Sequence, residues 1–156
     1  SALEELGAAT SLAAATLREE SVALRRAYAP RLQELLSRDL ARVTAGRYVE
    51  ALVSDEFRVQ LRAPETGALV ELERLSRGTQ QQVYLLLRLA VLEIVGGSEP
   101  LPLFLDDALA LGDDARRAEL LRVIEEQPRQ VIYLAASAVA AESFGPEWRR
   151  IELPAL

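Results

Sequence analysis

Two short stretches of this 156-residue chain carry side chains able to do chemistry. The first is "PLPLFLDD", in which Asp106 and Asp107 close an apolar run. Such a run reads as a strand buried on both faces, and the carboxyl ends of such strands form the crevice where α/β proteins bind ligands. Adjacent carboxylates there suit a magnesium ion held through water by Asp106, with Asp107 orienting or activating a water molecule. The plainer alternative is that one acid caps the next turn and the other is solvated. The second stretch is "LSRGTQQQ", with Ser76, Gly78 and Thr79 at the start of an apolar helix. Free backbone N–H groups and hydroxyls at a helix start attract an anion, aided by the helix dipole. Here the alternative is that Ser76 or Thr79 is an N-cap and Gly78 eases the turn.

Missing residue types narrow the chemistry further. The chain has no Cys, His or Met, and all 18 of its basic residues are Arg. A Cys/His zinc site, a thiol nucleophile, a Ser-His-Asp triad, a Schiff-base lysine and a P-loop lysine are therefore excluded within it. A formal net charge of -6 argues against wrapping nucleic acid by bulk electrostatics. Arg25, Arg26, Arg31, Arg38, Arg42 and Arg47 interleave with Glu19, Glu20, Glu34, Asp39 and Glu50, the pattern of a salt-bridged helical face. The apolar run Val83 to Val95 is broken by Arg88 and Glu93 and falls short of the ~20 residues of a membrane span. The start "SALEELGAAT" has no basic and apolar export pattern, so the expected location is cytoplasmic.

The elements that must position these stretches follow from periodicity. Leu3 to Tyr28 has helical spacing without a strong apolar face, as in an exposed helix or the end of a coiled coil. A second helix is expected from Pro30, with Leu32, Leu35, Leu36, Leu40 and Val43 on one stripe and Gly46 as its C-cap. "YVEALV", "FRVQLRA" and "ALVELERL" alternate like the strands of an antiparallel meander. A buried helix then runs to Gly96 and Gly97. The strand ending in Asp106, a helix with Leu120, Leu121, Val123 and Ile124 inward, and the strand "QVIYLAAS" make a parallel βαβ unit. "SAVAAESFG" is expected as a short helix and "WRRIELP" as a closing strand.

Together these pieces resemble the C-terminal lobe of an ABC-type ATPase head of the SMC, RecF and SbcC kind. "LSRGTQQQ" is similar to the signature motif LSxGxxQ, with Leu75, Ser76, Gly78 and Gln81 in register. "PLFLDD" resembles Walker B, "ALALGDDARR" the D-loop, and "QVIYLAAS" the switch strand. The helix and meander before them resemble the SMC-like YhaN subgroup. The resemblance implies an α/β fold, the C-terminal half of a P-loop ABC ATPase head. It would have a short parallel sheet, flanking helices, a small antiparallel meander, a coiled-coil stump over 1–29 and the lobe itself over 30–156.

By the same resemblance Asp106 would hold Mg2+ and Asp107 would be the catalytic carboxylate. Ser76, Gly78, Thr79 and Gln81 would bind, in trans, the nucleotide held on a second head, Ser76 with Gly78 meeting its γ-phosphate, and Asp113 would be the D-loop acid. Ser137 takes the switch position. A chain without lysine lacks a normal Walker A, so it implies an N-terminal Walker A lobe on the same or another chain, and an isolated chain that is inactive. Asp107 stands where the family usually has Glu, which implies slow turnover. Ser137 replaces the switch histidine and can hydrogen-bond but not ionise near neutral pH. The implied partners are a second head in a homodimer, DNA and an SbcD-type nuclease, in a cytoplasmic, nucleoid-associated protein of DNA repair or chromosome maintenance. Two alternatives stay open: a hydrolysis-deficient, ATP-gated dimerisation module, and a helical interaction domain whose signature-like turn is a cap.

Overall fold

The Ala-, Leu-, Glu- and Arg-rich start of the chain is one unbroken helix, α1 (Ala2–Val43), rather than two. The computed structural model describes residues 2–108, 114–135 and 144–152. The expected break at Pro30 is absent: proline lies inside the helix. An interior proline costs about 3 kcal/mol, yet strong helix formers flank it on both sides. Burial of Leu32, Leu35, Leu36, Leu40 and Val43 offsets that cost in the second half. The helix stops where Gly46, at φ 74°, turns its N–H to Ala41 O at 2.7 Å. Thr44, 3% exposed, seals this end. Its hydroxyl donates to Leu40 O at 2.8 Å and accepts from the Tyr48 N–H at 3.2 Å.

Strands β1 (Glu50–Val53), β2 (Val59–Arg62) and β3 (Leu69–Glu71) form the expected antiparallel meander, in the order β1-β2-β3. Register places Ala51 opposite Leu61 and Leu61 opposite Val70. The edge of β1 is covered by α1: Gln33 Oε1 accepts from the Val53 N–H at 3.1 Å, and Ser37 Oγ from the Ala51 N–H at 3.0 Å. The third strand is shorter than its pattern suggests. A 3-10 turn over Leu72–Arg74 follows Glu71 and swings the chain into helix α2 (Arg77–Gly96).

Strand β4 (Leu103–Asp106), helix α3 (Asp114–Glu125) and strand β5 (Val131–Leu134) complete the order, and β4 pairs with β5 in parallel. Leu120, Leu121, Val123 and Ile124 of α3 are buried, as their spacing requires. They join Leu36, Leu40, Ala51, Leu61, Val83, Leu86 and Leu105 in one core. Two expectations fail. β4 is not buried on both faces: Leu103 and Leu105 point into the core while Phe104 is 62% exposed and Asp106 faces outward. Its second face has no covering element in the described chain. Trp148 to Glu152 is not a strand. Instead Trp148 packs at a tilt against Phe144, 4.7 Å between ring centres, and its indole N–H donates to Glu125 at 2.7 Å. The expected short helix at 137–145 lies largely outside the described residues.

In the second half of α1 the interleaved charges pair. Arg31 meets Glu34 at 2.8 Å, and Asp39, 7% exposed, takes Arg38 at 3.1 Å and Arg42 at 3.2 Å. The same arginines reach other elements. Arg31 and Arg38 both bond Glu93 of α2, at 3.0 and 3.2 Å. Arg42 grips Glu126, just beyond α3, through two bonds of 2.7 and 2.8 Å. That bidentate hydrogen bond holds the Glu126 carboxyl below the usual carboxylate range and raises the Arg42 guanidinium further. Among the described residues no helix is long and apolar enough to cross a membrane.

Candidate functional site

The signature-like turn is built by its own helix start. Ser76 is the N-cap of α2, with extended backbone, and its Oγ accepts from the Thr79 N–H at 3.3 Å. The Thr79 hydroxyl lies 2.9 Å from Ser76 Oγ and is 2% exposed, so it faces the cap and not the surface. Ser76 itself is exposed. A Cβ on Gly78 would meet nothing within 4 Å, and its φ is not positive, so the fold of this chain does not require glycine there. Glycine in a helix costs about 0.5–1 kcal/mol relative to alanine. Its benefit here is open space beside free N–H groups, which lets a ligand approach the backbone closely. The donor set of hydroxyl, free amides and positive helix end fits a phosphate.

The three successive glutamines go three ways because each helical residue turns about 100°. Gln80 Nε2 donates to Glu73 O and Leu75 O, both at 3.0 Å, and staples the 3-10 turn to α2. Gln81 faces outward. Gln82 is 1% exposed, and its side-chain oxygen has no hydrogen-bond partner. The positioning role of Gln80 and the orphan on Gln82 were not read from the sequence, although the triplet's helical phase held the signal.

Asp106 and Asp107 sit at the carboxyl end of β4, as their place in the sequence suggests. Asp107 is half-buried and adopts φ 45°, a left-handed conformation that aspartate tolerates but seldom takes. Its N–H donates to Leu134 O at 2.9 Å, so the end of β5 holds the second acid in place. Strain of this kind gathers at functional positions. Both acids line a groove of about 660 Å³ between α2 and β4. Gln81, Tyr84, Arg88, Val91 and Phe104 share that groove. Gln81 therefore joins the two acids on one surface, while Ser76 is not among the groove residues. Arg88 is a further exposed cation that its place in an apolar run had disguised. Asp113 and Ser137 lie outside the described residues.

Paired acids at the end of a parallel strand suit an oxygen-loving cation bound through water. Among the described residues there is no cluster of three or more acids or other ligands for a tightly held metal. A magnesium ion brought in by phosphate oxygens fits such a donor set better than a resident one.

No protein-family model and no curated protein matches the chain. Among the solved structures similar to the chain is one described as "Structural biochemistry of ATP-driven dimerization and DNA stimulated activation of SMC ATPases". The match has a TM-score of 0.52 and 17% sequence identity, over 77% of this chain and 78% of that one. The fold of the chain is thus SMC-like, resembling part of an SMC ATPase head.

Proposed function

We propose that the chain is the C-terminal lobe of an SMC-like ATPase head, of the SbcC, RecF and YhaN kind, with residues 1–29 as the stump of its coiled coil. The observation that carries this reading is the placement of two motifs on one SMC-like lobe. An exposed Ser76 and an open Gly78 stand at a helix start, and a strained Asp107 stands beside Asp106 at a parallel strand end. In the complete head Asp106 would hold Mg2+, and Asp107 would orient the water that attacks ATP. Bound Mg2+ would supply charge neutralisation on the phosphate oxygens. Ser76 donates its hydroxyl, and Gly78 its N–H, to the γ-phosphate on a second head. Thr79 acts through Ser76, while Gln81 faces the Asp106 and Asp107 groove of its own lobe. Asp113 and Ser137 are assigned the D-loop and switch positions.

Among the described residues the parallel sheet has two strands and one uncovered face, which supports a missing neighbour, since parallel sheets are covered on both faces. Phe104 at 62%, Leu134 at 50% and Tyr84 at 47% exposure make that face apolar. We assign it to the N-terminal Walker A lobe. The homodimer of heads, work on DNA in repair or chromosome maintenance, and an SbcD-type nuclease partner belong to the same reading. The experiment joins the chain to a Walker A lobe and follows phosphate release and ATP-dependent dimerisation. Steady release that Asp107→Asn abolishes is the expected result, and Phe104→Arg should prevent the lobes from joining while the chain still folds. Dimerisation without release in the unaltered head means an ATP gate without hydrolysis. No ATP binding by the joined lobes refutes both.

A further inference from the structure

Helix α1 changes character within a few residues. From Leu6 to Tyr28 its side chains are exposed, apart from the half-buried Ala14 and Arg25. From Ala29, at 2% exposure, the helix packs into the body of the chain through Leu32, Leu35 and Leu36. Pro30 stands at that boundary, inside the helix. Its nitrogen carries no hydrogen, so the Arg26 carbonyl loses its helical donor, and the ring crowds the same carbonyl. Proline is a leading cause of helix kinks sharper than about 20°.

The ties to the body differ on the two sides of Pro30. After it, Arg31 and Arg38 converge on Glu93 and Arg42 holds Glu126, backed by the buried leucines. Before it, Arg26 reaches Asp55 in the β1–β2 turn at 3.3 Å, with side chains 69% and 66% exposed. Exposed pairs of this kind hold weakly and are screened by salt. We infer that Pro30 is a pivot. The exposed segment swings as one rod against an anchored base, and the Arg26–Asp55 pair is a salt-sensitive latch for one orientation. The inference does not depend on the ATPase reading. At about 1.5 Å per residue the rod from Pro30 to Ser11 is roughly 28 Å long, so a 20° swing moves Ser11 by about 10 Å.

The chain has no cysteine, so spin labels can be placed without removing any native thiol. Ser11→Cys and Glu65→Cys, both exposed, report rod against body, and Glu65→Cys with Ser98→Cys reports the body alone. The expected rod-to-body distance distribution is several ångströms wider than the body control. It should narrow toward the control in Pro30→Ala, and widen in Asp55→Ala or at high salt. A rod-to-body width equal to the control, or one that Pro30→Ala leaves unchanged, overturns the pivot. Amide exchange over residues 11–24 separates swinging from fraying. Protection maintained in both variants supports a rigid rod, and full exchange in both means that the width came from unfolding, which also overturns it.

Discussion

Gln82→Met should make this chain more stable, although it removes a hydrogen-bonding group from its core. Gln82 is 1% exposed on α2, and its carbonyl oxygen finds no donor. A buried acceptor left unpaired costs about 1–3 kcal/mol, because the bond it made to water in the unfolded chain is not replaced. Methionine keeps an unbranched side chain of similar length and removes the amide. Volume-conserving exchanges of this kind usually cost less than about 1.5 kcal/mol in packing. The expected net gain is therefore about 1–2 kcal/mol. An unfolding entropy of about 2.1 cal/mol/K per residue converts that to a Tm roughly 3–6 °C higher for a chain of this size. Gln82→Ala also removes the orphan but leaves a void, and should fall about 2 kcal/mol or more below the Met variant. Urea titration followed by circular dichroism measures both, with an unchanged slope showing that the folded and unfolded states are the same. A Met variant that unfolds at the same or a lower urea concentration means that the amide is satisfied in solution, and the reasoning fails.

Two other outcomes test the ties and the cap. Arg42→Met should lower stability at neutral pH by an amount that shrinks in high salt. Glu126 has a depressed folded pKa, so its tie is fully present above the unfolded carboxyl value and is lost as pH falls through the folded one. Denaturation midpoints of the two proteins should therefore converge in acid, below the ordinary carboxylate range. Ser76→Ala should cost about 1 kcal/mol by removing the N-cap, whereas Ser76→Asp should keep the cap and the stability. Both should block ATP-dependent pairing of completed heads; pairing that survives in Ser76→Asp would leave Ser76 with a capping role alone.

Much of the scaffold was legible because it rests on local period. The meander followed from two-residue alternation, and the inward face of α3 from the spacing of Leu120, Leu121, Val123 and Ile124. The misreadings share one cause: the deciding partner lay far away in the chain. Pro30 looked like a helix start, since nothing local shows that Leu32, Leu35 and Leu36 bind the next turns tightly enough to carry the helix through it. Phe104 looked buried because its neighbours are apolar, yet no element of the described chain covers it. "WRRIELP" alternates like a strand, yet over Trp148 to Glu152 it pairs with none; Trp148 is tied instead to Glu125, 23 residues away.

The sequence by itself determined which groups this chain cannot supply and where its reactive groups can stand. Without lysine, histidine or cysteine it has no phosphate-binding lysine, no imidazole base and no thiol, whatever its fold. The carboxylates after an apolar strand and the hydroxyls before an apolar helix were likewise visible in one dimension, because strand ends and helix caps are local chemistry. Only the tertiary structure decided which groups share a surface. It turned Thr79 inward onto Ser76, set Gln81 in the groove with Asp106 and Asp107, and left Gln82 buried without a donor. It also bound α1 to α2 and to the end of α3 through Glu93 and Glu126. Such pairings join residues 55 to 84 positions apart, where no local propensity acts and the packing of elements alone sets distance and burial.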